Sequence, residues 1–299
     1  MLIGMHKSFN KWFNRLVEGL IRLRANCLAM IIRYLIRKPV WITDKNGITC
    51  RLHPEDNLPR LLYVNRYFDD EGTLLLVKKI LRPGMTVFDV GGHWGEFLLF
   101  STPFVMPGGV IHAFEPTKES FKRLFENINH NFELTERIFP NEIAVYNRSG
   151  SVTLNKFPPH LASWNTLGKP KMVLNGETIQ PSCQEIVDST TLDDYCKEHE
   201  ITHIDLLKVD TEGFEAEVIE GSSELLSLSR IENIIFEVSL APLEGVNRSP
   251  KDIFLVLKQH NFQISKIGND GNLYPVEDIS TYQIPYFANY LARHKRNGG

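Results

Sequence analysis

The stretch Thr86-Val-Phe-Asp-Val-Gly-Gly-His-Trp-Gly-Glu-Phe-Leu-Leu99 constrains the fold more than any other part of the chain. A short apolar strand carrying Asp89 runs into Gly91-Gly92, and Gly95 then opens an apolar helix, the entry to a nucleotide-type α/β unit. A dinucleotide fingerprint begun at Gly91 needs glycines at positions 93 and 96, so that backbone can approach a pyrophosphate. His93 and Glu96 stand there instead. Glu96 in the first helical turn and Asp89 at the strand end repel phosphates, whereas Asp89 attracts a cationic amino group directly or through water. The spacing Asp89-x-Gly91-x-x-x-Gly95 therefore favours S-adenosylmethionine over a nicotinamide dinucleotide.

The next segment points the same way. Gly109-Val-Ile-His-Ala-Phe-Glu115 is a run of strand formers ending in a carboxylate, and a carboxylate at that tip accepts both ribose hydroxyls. Pro116 stops the strand, and Thr117 caps a helix whose Phe121, Leu124, Phe125 and Ile128 fall on one face. Strand, glycine turn, helix, strand, acid and helix make one complete βαβ unit.

At 299 residues and 42% hydrophobic content, the chain can bury one sizeable core with an appendage. The expected division is an N-terminal amphipathic helix and β-hairpin over residues 1–58, followed by a catalytic domain over 59–299. Cys27, Cys50, Cys183 and Cys196 form no C-x-x-C pair, which argues against a zinc ribbon or a disulfide framework. Arg15, Arg22 and Arg24 interrupt every apolar run near the start, so no secretory signal is read and a cytoplasmic location is expected.

Charge is uneven. Residues 1–38 hold eight Lys and Arg against Glu18 alone, a formal +7 on a chain whose total is −3. Phe9, Trp12, Phe13, Leu16, Leu20, Leu23, Ile31, Leu35 and Ile36 make this segment amphipathic. Such a helix can pack on its own acidic domain, join a second copy as a homo-oligomer, or lie on an anionic membrane as a peripheral contact. Nucleic acid is not an expected partner, because the rest of the chain offers no basic stripe with interleaved aromatics.

Further along, Trp41–Thr43 and Ile48–Leu52 flank an Asn-Gly turn and read as a hairpin. Asp70–Leu81 reads as a helix, Ile138–Val145 as the third strand, and Ser151–Leu154 as an extended continuation. Asn155–Ser189 is rich in Pro, Asn, Ser and Gly and reads as a long acceptor-binding lid loop. Thr191 with Asp194 resembles a capping box for Leu192–His199. Ile204–Val209 and Ile231–Val238 read as the fourth and fifth strands, Asp252–His260 as a helix, and Phe262–Ile267 and Phe287–His294 as two terminal strands.

The fourth strand ends in Leu207-Lys-Val-Asp-Thr-Glu-Gly213 and the fifth in Ile234-Ile-Phe-Glu237. Ligands of open α/β sheets bind beyond the carboxyl ends of the strands, so Asp210, Glu212 and Glu237 converge near the cofactor's reactive end. Carboxylates there can take a proton from an acceptor hydroxyl, bind a divalent metal such as Mg²⁺, or simply hold helix N-termini. Lys208 shares a strand face with Asp210 and can steady its charge or bind an acidic acceptor. Without His or Cys in the cluster a zinc site is not expected, and no metal ligands are assigned.

These segments together resemble the FkbM family of S-adenosylmethionine-dependent methyltransferases. The resemblance covers about residues 60–240 and is carried by Thr86–Gly92, His112–Pro116, Glu142–Val145, Thr190–Asp194, Lys208–Gly213 and Phe236–Glu237. The family usually has Gly-Ala-Asn where this chain has Gly91-Gly92-His93. The resemblance implies the Rossmann-like class I methyltransferase fold, an α/β sandwich on a seven-stranded, mostly parallel sheet in the order 3-2-1-4-5-7-6. It also implies that Asp89, Gly91, Gly92 and Gly95 hold the methionine part of the cofactor, Glu115 the ribose, and Glu142 with Ile143 the adenine. Family members typically O-methylate hydroxyls on sugars, glycans or secondary metabolites. The catalytic candidates are Asp210 as base, His93 in the cofactor turn, and Glu212. The competing readings are an N-methyltransferase, a dinucleotide-dependent oxidoreductase, and a non-catalytic binding protein docked to a membrane or partner through its N-terminal helix.

Overall fold

A computed structural model describes residues 38–43, 47–53, 71–131, 137–168, 172–174, 177–246 and 248–295. The basic N-terminal segment, expected to be an amphipathic helix, lies outside the described residues. Strands are β1 (Val40–Thr43), β2 (Thr49–Leu52), β3 (Thr86–Val90), β4 (Val110–Phe114), β5 (Ile138–Asn141), β6 (Ala144–Val145), β7 (Gly150–Lys156), β8 (Met172–Leu174), β9 (Glu177–Ile179), β10 (Cys183–Thr190), β11 (Ile204–Val209), β12 (Ile231–Ser239), β13 (Phe262–Ile267), β14 (Leu273–Pro275) and β15 (Phe287–His294). Helices are α1 (Glu71–Ile80), α2 (Glu96–Val105), α3 (Lys118–His130), α4 (Leu192–Glu198), α5 (Glu215–Glu220), α6 (Ser223–Ser227), α7 (Leu240–Gly245) and α8 (Pro250–Gln259).

The main sheet runs β5-β4-β3-β11-β12-β15-β13-β14. Its first seven strands stand in the expected 3-2-1-4-5-7-6 order, with β15 antiparallel to β12 and β13. The count is eight, not seven, because the three-residue β14 turns back onto the outer edge of β13. Helices cover both faces, which is why β3 and β4 are apolar almost throughout. Successive side chains on a strand point to opposite faces, and this alternation divides the core in two. Phe88, Leu207, Ile234 and Tyr290 pack on one face with α5 and α8. Val87, Leu206, Ile235 and Leu291 pack on the other with α1, α2 and α3.

The β1–β2 hairpin joins this second core through Ile48 and Cys50. The free edge of β2 is satisfied by side chains of α3, since Thr49 N donates to Asn131 Oδ1 and Arg51 N to Asn127 Oδ1, both at 2.8 Å. Those two bonds tie the hairpin to the C-terminal end of α3.

Two sequence expectations need correcting. The third strand does not run unbroken to Val145. Asn141 turns its amide back onto Phe139 O and Ala113 O, and Ala144–Val145 then leaves the main sheet to pair with Ser189–Thr190. Residues 155–189 are also not one long loop. After a short 3₁₀ turn over Pro159–Trp164 and the β8–β9 hairpin, β10 pairs antiparallel along the whole of β7 and forms a second sheet, β6-β10-β7. Periodicity missed β10 because Ile186, its most apolar residue, is 77% exposed while Val187 and Ser189 face inward.

Candidate active site

The glycine turn is held by the neighbouring strand. Gly91 N and Gly92 N both donate to Phe114 O, at 3.0 and 2.9 Å, and Gly95 N donates to Gly92 O at 2.8 Å. Gly91 has a left-handed φ of 82°, and a Cβ there would lie 1.8 Å from Asp210 O. Only glycine fits that contact. It brings the ends of β3 and β11 together, and Asp210 N donates to Val90 O at 3.0 Å beside it.

Asp89 is fully buried behind Gly92, off the cavity wall. A Cβ on Gly92 would come within 3.6 Å of Asp89 Oδ2, so the missing side chain leaves that carboxylate close to the turn. Neither oxygen of Asp89 has a hydrogen-bond partner among the described residues, and Lys208 Nζ stands 3.6 Å away. Burial raises the Asp89 pKa above its ordinary value, Lys208 opposing and Asp210 reinforcing the shift.

Glu115 ends β4 and is organised from three sides. It accepts from His93 N at 3.0 Å, Thr117 N at 2.9 Å and Thr117 Oγ1 at 2.6 Å. Burial nevertheless pushes its pKa up to about 7. His93 itself takes a left-handed φ of 48°, and its Nε2 is buried without a hydrogen bond among the described residues. Burial first, then the charges of Arg123 and Lys208, lower its pKa to about 3, so the ring is neutral at physiological pH.

On the other side of the turn, ligating oxygens of Asp210, Glu212 and Glu237 lie within 4.8 Å of one another. Like charges so close cannot all ionise. Glu212 and Glu237 are accordingly raised well above the carboxylate range, by burial first and then by their acidic neighbours. Lys208 Nζ sits 3.1 Å from Asp210 Oδ2 and over the Phe97 ring, and the surrounding carboxylates raise its pKa against the cost of burial. The connecting loop is built around Glu215, which accepts from Thr211 N, Thr211 Oγ1 and Gly213 N. Thr166 Oγ1 donates to Glu212 O at 2.7 Å and fastens the β7–β10 insertion to the same loop.

These groups surround a cavity of about 730 Å³. Gly91, Gly92, His93, Glu115, Asp210, Glu212 and Glu237 all line it, as does Ile143 with Phe114, Val145 and Leu154 at an apolar end. Gly95 stays behind the turn, where its φ of 97° starts α2. Glu142 is exposed and off the cavity wall, so among the residues predicted for adenine only Ile143 reaches it. Asn165 on the wall falls within the segment expected to form the acceptor lid, whereas the sequence reading missed Asn269, Phe287 and Asn289. Phe287 and Asn289 carried a readable signal, the period-two spacing on β15; Asn269 sits on a turn whose placement only the fold determines.

A sheet in this strand order, with its first glycine turn flanked by an acid on each of two adjacent strands, defines a class I methyltransferase fold. The methyltransferase FkbM domain matches residues 89–264, more than half of the chain. The chain belongs to the FkbM methyltransferase family. Among curated proteins it is similar to 31-O-demethyl-FK506 methyltransferase FkbM of Streptomyces tacrolimicus, at 28% identity over 201 residues, which is 62% of this chain and 75% of that one. Among solved structures, methyltransferase FkbM from Methylobacillus flagellatus KT aligns at 13% identity and a TM-score of 0.44, covering 76% of this chain and 56% of that one. A SAM-dependent O-methyltransferase from Thermotoga maritima aligns at 10% identity and a TM-score of 0.41, covering 87% and 79%.

Proposed function

We propose that the protein transfers a methyl group from S-adenosylmethionine to a hydroxyl oxygen of a small-molecule or glycan acceptor. One observation carries the cofactor assignment: a buried carboxylate, Asp89, whose oxygens accept no hydrogen bond among the described residues stands directly behind a turn that glycine alone can make. That arrangement suits a cationic methionine moiety and is hostile to a diphosphate. Gly91 and Gly92 would cradle the methionine part, Glu115 the ribose, and Ile143 one face of the adenine. Bound there, the sulfonium supplies an electrophilic methyl carbon.

The remaining work falls to the chain. An acceptor must be held in line, dried and relieved of a proton. Asp210 is the base in this reading: it ends β11 beside the glycine turn, 3.1 Å from Lys208 Nζ, and a third of its side chain stays open. His93 is a poor base, because a ring held near a pKa of 3 has little affinity for a proton. Glu212, whose pKa burial first and then Asp210 and Glu215 raise well above the carboxylate range, would donate a hydrogen bond to the acceptor in its protonated form. Asp210→Asn tests this: turnover should fall by on the order of a hundredfold or more, while affinity for S-adenosylhomocysteine, measured calorimetrically, stays the same. Unchanged turnover removes the assignment.

The family relationship supports oxygen as the methylated atom. No helix among the described residues is long and apolar enough to cross a membrane. Peripheral contact or self-association through residues 1–38 rests on their charge pattern alone.

A further inference from the structure

Helix α3 carries an outer stripe that the fold leaves bare. Lys118, Lys122, Phe125 and Asn129 recur at helical spacing and are all exposed, whereas Leu124 and Ile128 turn into the core. Phe125 is 47% exposed and stacks along the partly buried Phe121. One open phenylalanine is ordinary on a protein surface. Its setting is not, because both acids of the helix are already used: Glu119 pairs with Lys156, and Glu126 with Arg51 at 2.7 Å. Lys118 and Lys122 form no ion pair among the described residues. The stripe is therefore aromatic and positive at once.

The far end of the same helix is where the most basic stretch of the chain joins the fold. Trp41 on β1 stacks on His130 at 4.0 Å, stays 41% exposed, and lies 5.9 Å from the Arg51 guanidinium. Lys38, three residues earlier, is the first described residue, so residues 1–38, with their formal +7 and many large apolar side chains, enter beside this tryptophan. Folding them back onto α3 would set that charge against Lys118 and Lys122, and a second copy on this face would oppose the same lysines. Nucleic acid would match the charge but offer nothing to the leucines and isoleucines. An anionic bilayer matches both.

We propose that the outer face of α3, with Trp41 of the hairpin, is a docking surface for an anionic phospholipid membrane, and that residues 1–38 add to the same contact. The lysines reach the headgroup charge while Phe125 and Trp41 enter the boundary between headgroups and acyl chains. Pro116 and Thr117, at the head of α3, line the cavity, so docking on this helix brings the cavity to the membrane.

Vesicle flotation of the full chain tests the surface, with vesicles of phosphatidylcholine alone and of phosphatidylcholine containing about one third phosphatidylglycerol. The expected result is flotation with the mixed vesicles only, weakened by high salt. Phe125→Ala should lower the partition about fivefold, and Lys118→Gln combined with Lys122→Gln on the order of tenfold. Phe125→Trp should retain binding, since indole suits the interface, and unchanged melting temperatures confirm that the variants are folded. No flotation with the mixed vesicles, equal flotation with both kinds, or full binding by either weakened variant overturns the surface; in the last case residues 1–38 bind without it. Release from the vesicles by a DNA or RNA duplex, or a dimer in sedimentation that Phe125→Ala dissolves, overturns it as well, since each assigns the face to another occupant.

Discussion

Replacing Gly91 by alanine should damage this protein far more than replacing its neighbour Gly92. At Gly91 a Cβ meets the Asp210 carbonyl oxygen at 1.8 Å, and that oxygen is backbone, so no rotamer change can relieve it. Restoring an ordinary contact needs a retreat of about 1.5 Å. Overpacking of this kind costs about 1–3 kcal/mol, and a left-handed φ adds about 1–2 kcal/mol for a residue with a side chain. The expected loss is therefore about 2–5 kcal/mol in urea denaturation followed by circular dichroism. The same shift displaces Asp210 from Val90, whose backbone bond at 3.0 Å fixes the proposed base, and a misplacement of about 1 Å costs on the order of a hundredfold in turnover. Gly92 has no left-handed φ, and its Cβ would meet nothing closer than 3.6 Å. Gly92→Ala should leave stability within about 1 kcal/mol and weaken cofactor binding, because the new methyl projects beside Asp89. If Gly91→Ala unfolds within about 0.5 kcal/mol of the parent, or the two variants lose equal stability, the claim that this contact sets the geometry of β3 against β11 is wrong.

Glu115 should make stability depend on pH. Its folded pKa of about 7 lies above the ordinary 4.5, so the stability it contributes is complete below about pH 4.5 and is lost as pH rises through about 7. Glu115→Gln should flatten that fall in denaturation curves taken at about pH 5 and about pH 8; curves parallel to the parent's would refute it. His93 acts in the opposite sense: with a folded pKa of about 3 against 6.5, its contribution is present above about 6.5 and is lost as pH falls toward 3. Lys208→Met removes the partner of both Asp89 and Asp210 and should cost about 3–5 kcal/mol. Adding Asp89→Asn should recover part of that loss, and a strictly additive double mutant would contradict the coupling. Exhaustive chelation should leave turnover unchanged; a loss restored by Mg²⁺ would mean that Asp210, Glu212 and Glu237 hold an ion.

Local pattern was enough to locate the catalytic sheet. Strands β3, β4, β11, β12 and β13 are set by apolar runs with acids or glycine at their ends, β15 by its own run of strand formers, and all six occur where the residues predict. The turn at Gly91 was legible for the same reason: a backbone conformation closed to other residues leaves a signature in residue type. The β7–β10 insertion was not legible, because its inward face mixes Val187 with Ser189 and its most apolar side chain, Ile186, points to solvent. Glu142 shows the limit in the site. Adjacent residues on an extended chain face opposite ways, and only the path of the backbone decided that Ile143 would reach the cavity while Glu142 would not.

What the sequence determined by itself was therefore the position of the strands along the chain and the residue types at their tips, since both follow from periodicity and backbone sterics over a few neighbours, while their order in the sheet was implied by the family resemblance. Tertiary structure alone decided the electrical state of the site. Asp210 and Glu212 follow β11 and Glu237 lies on β12, and only their packing within 4.8 Å under shared burial raises Glu212 and Glu237 well above the carboxylate range. Phe287 depends on the same assembly: it is 80 residues from Leu207 along the chain, and the antiparallel return of β15 against β12 is what sets it beside them.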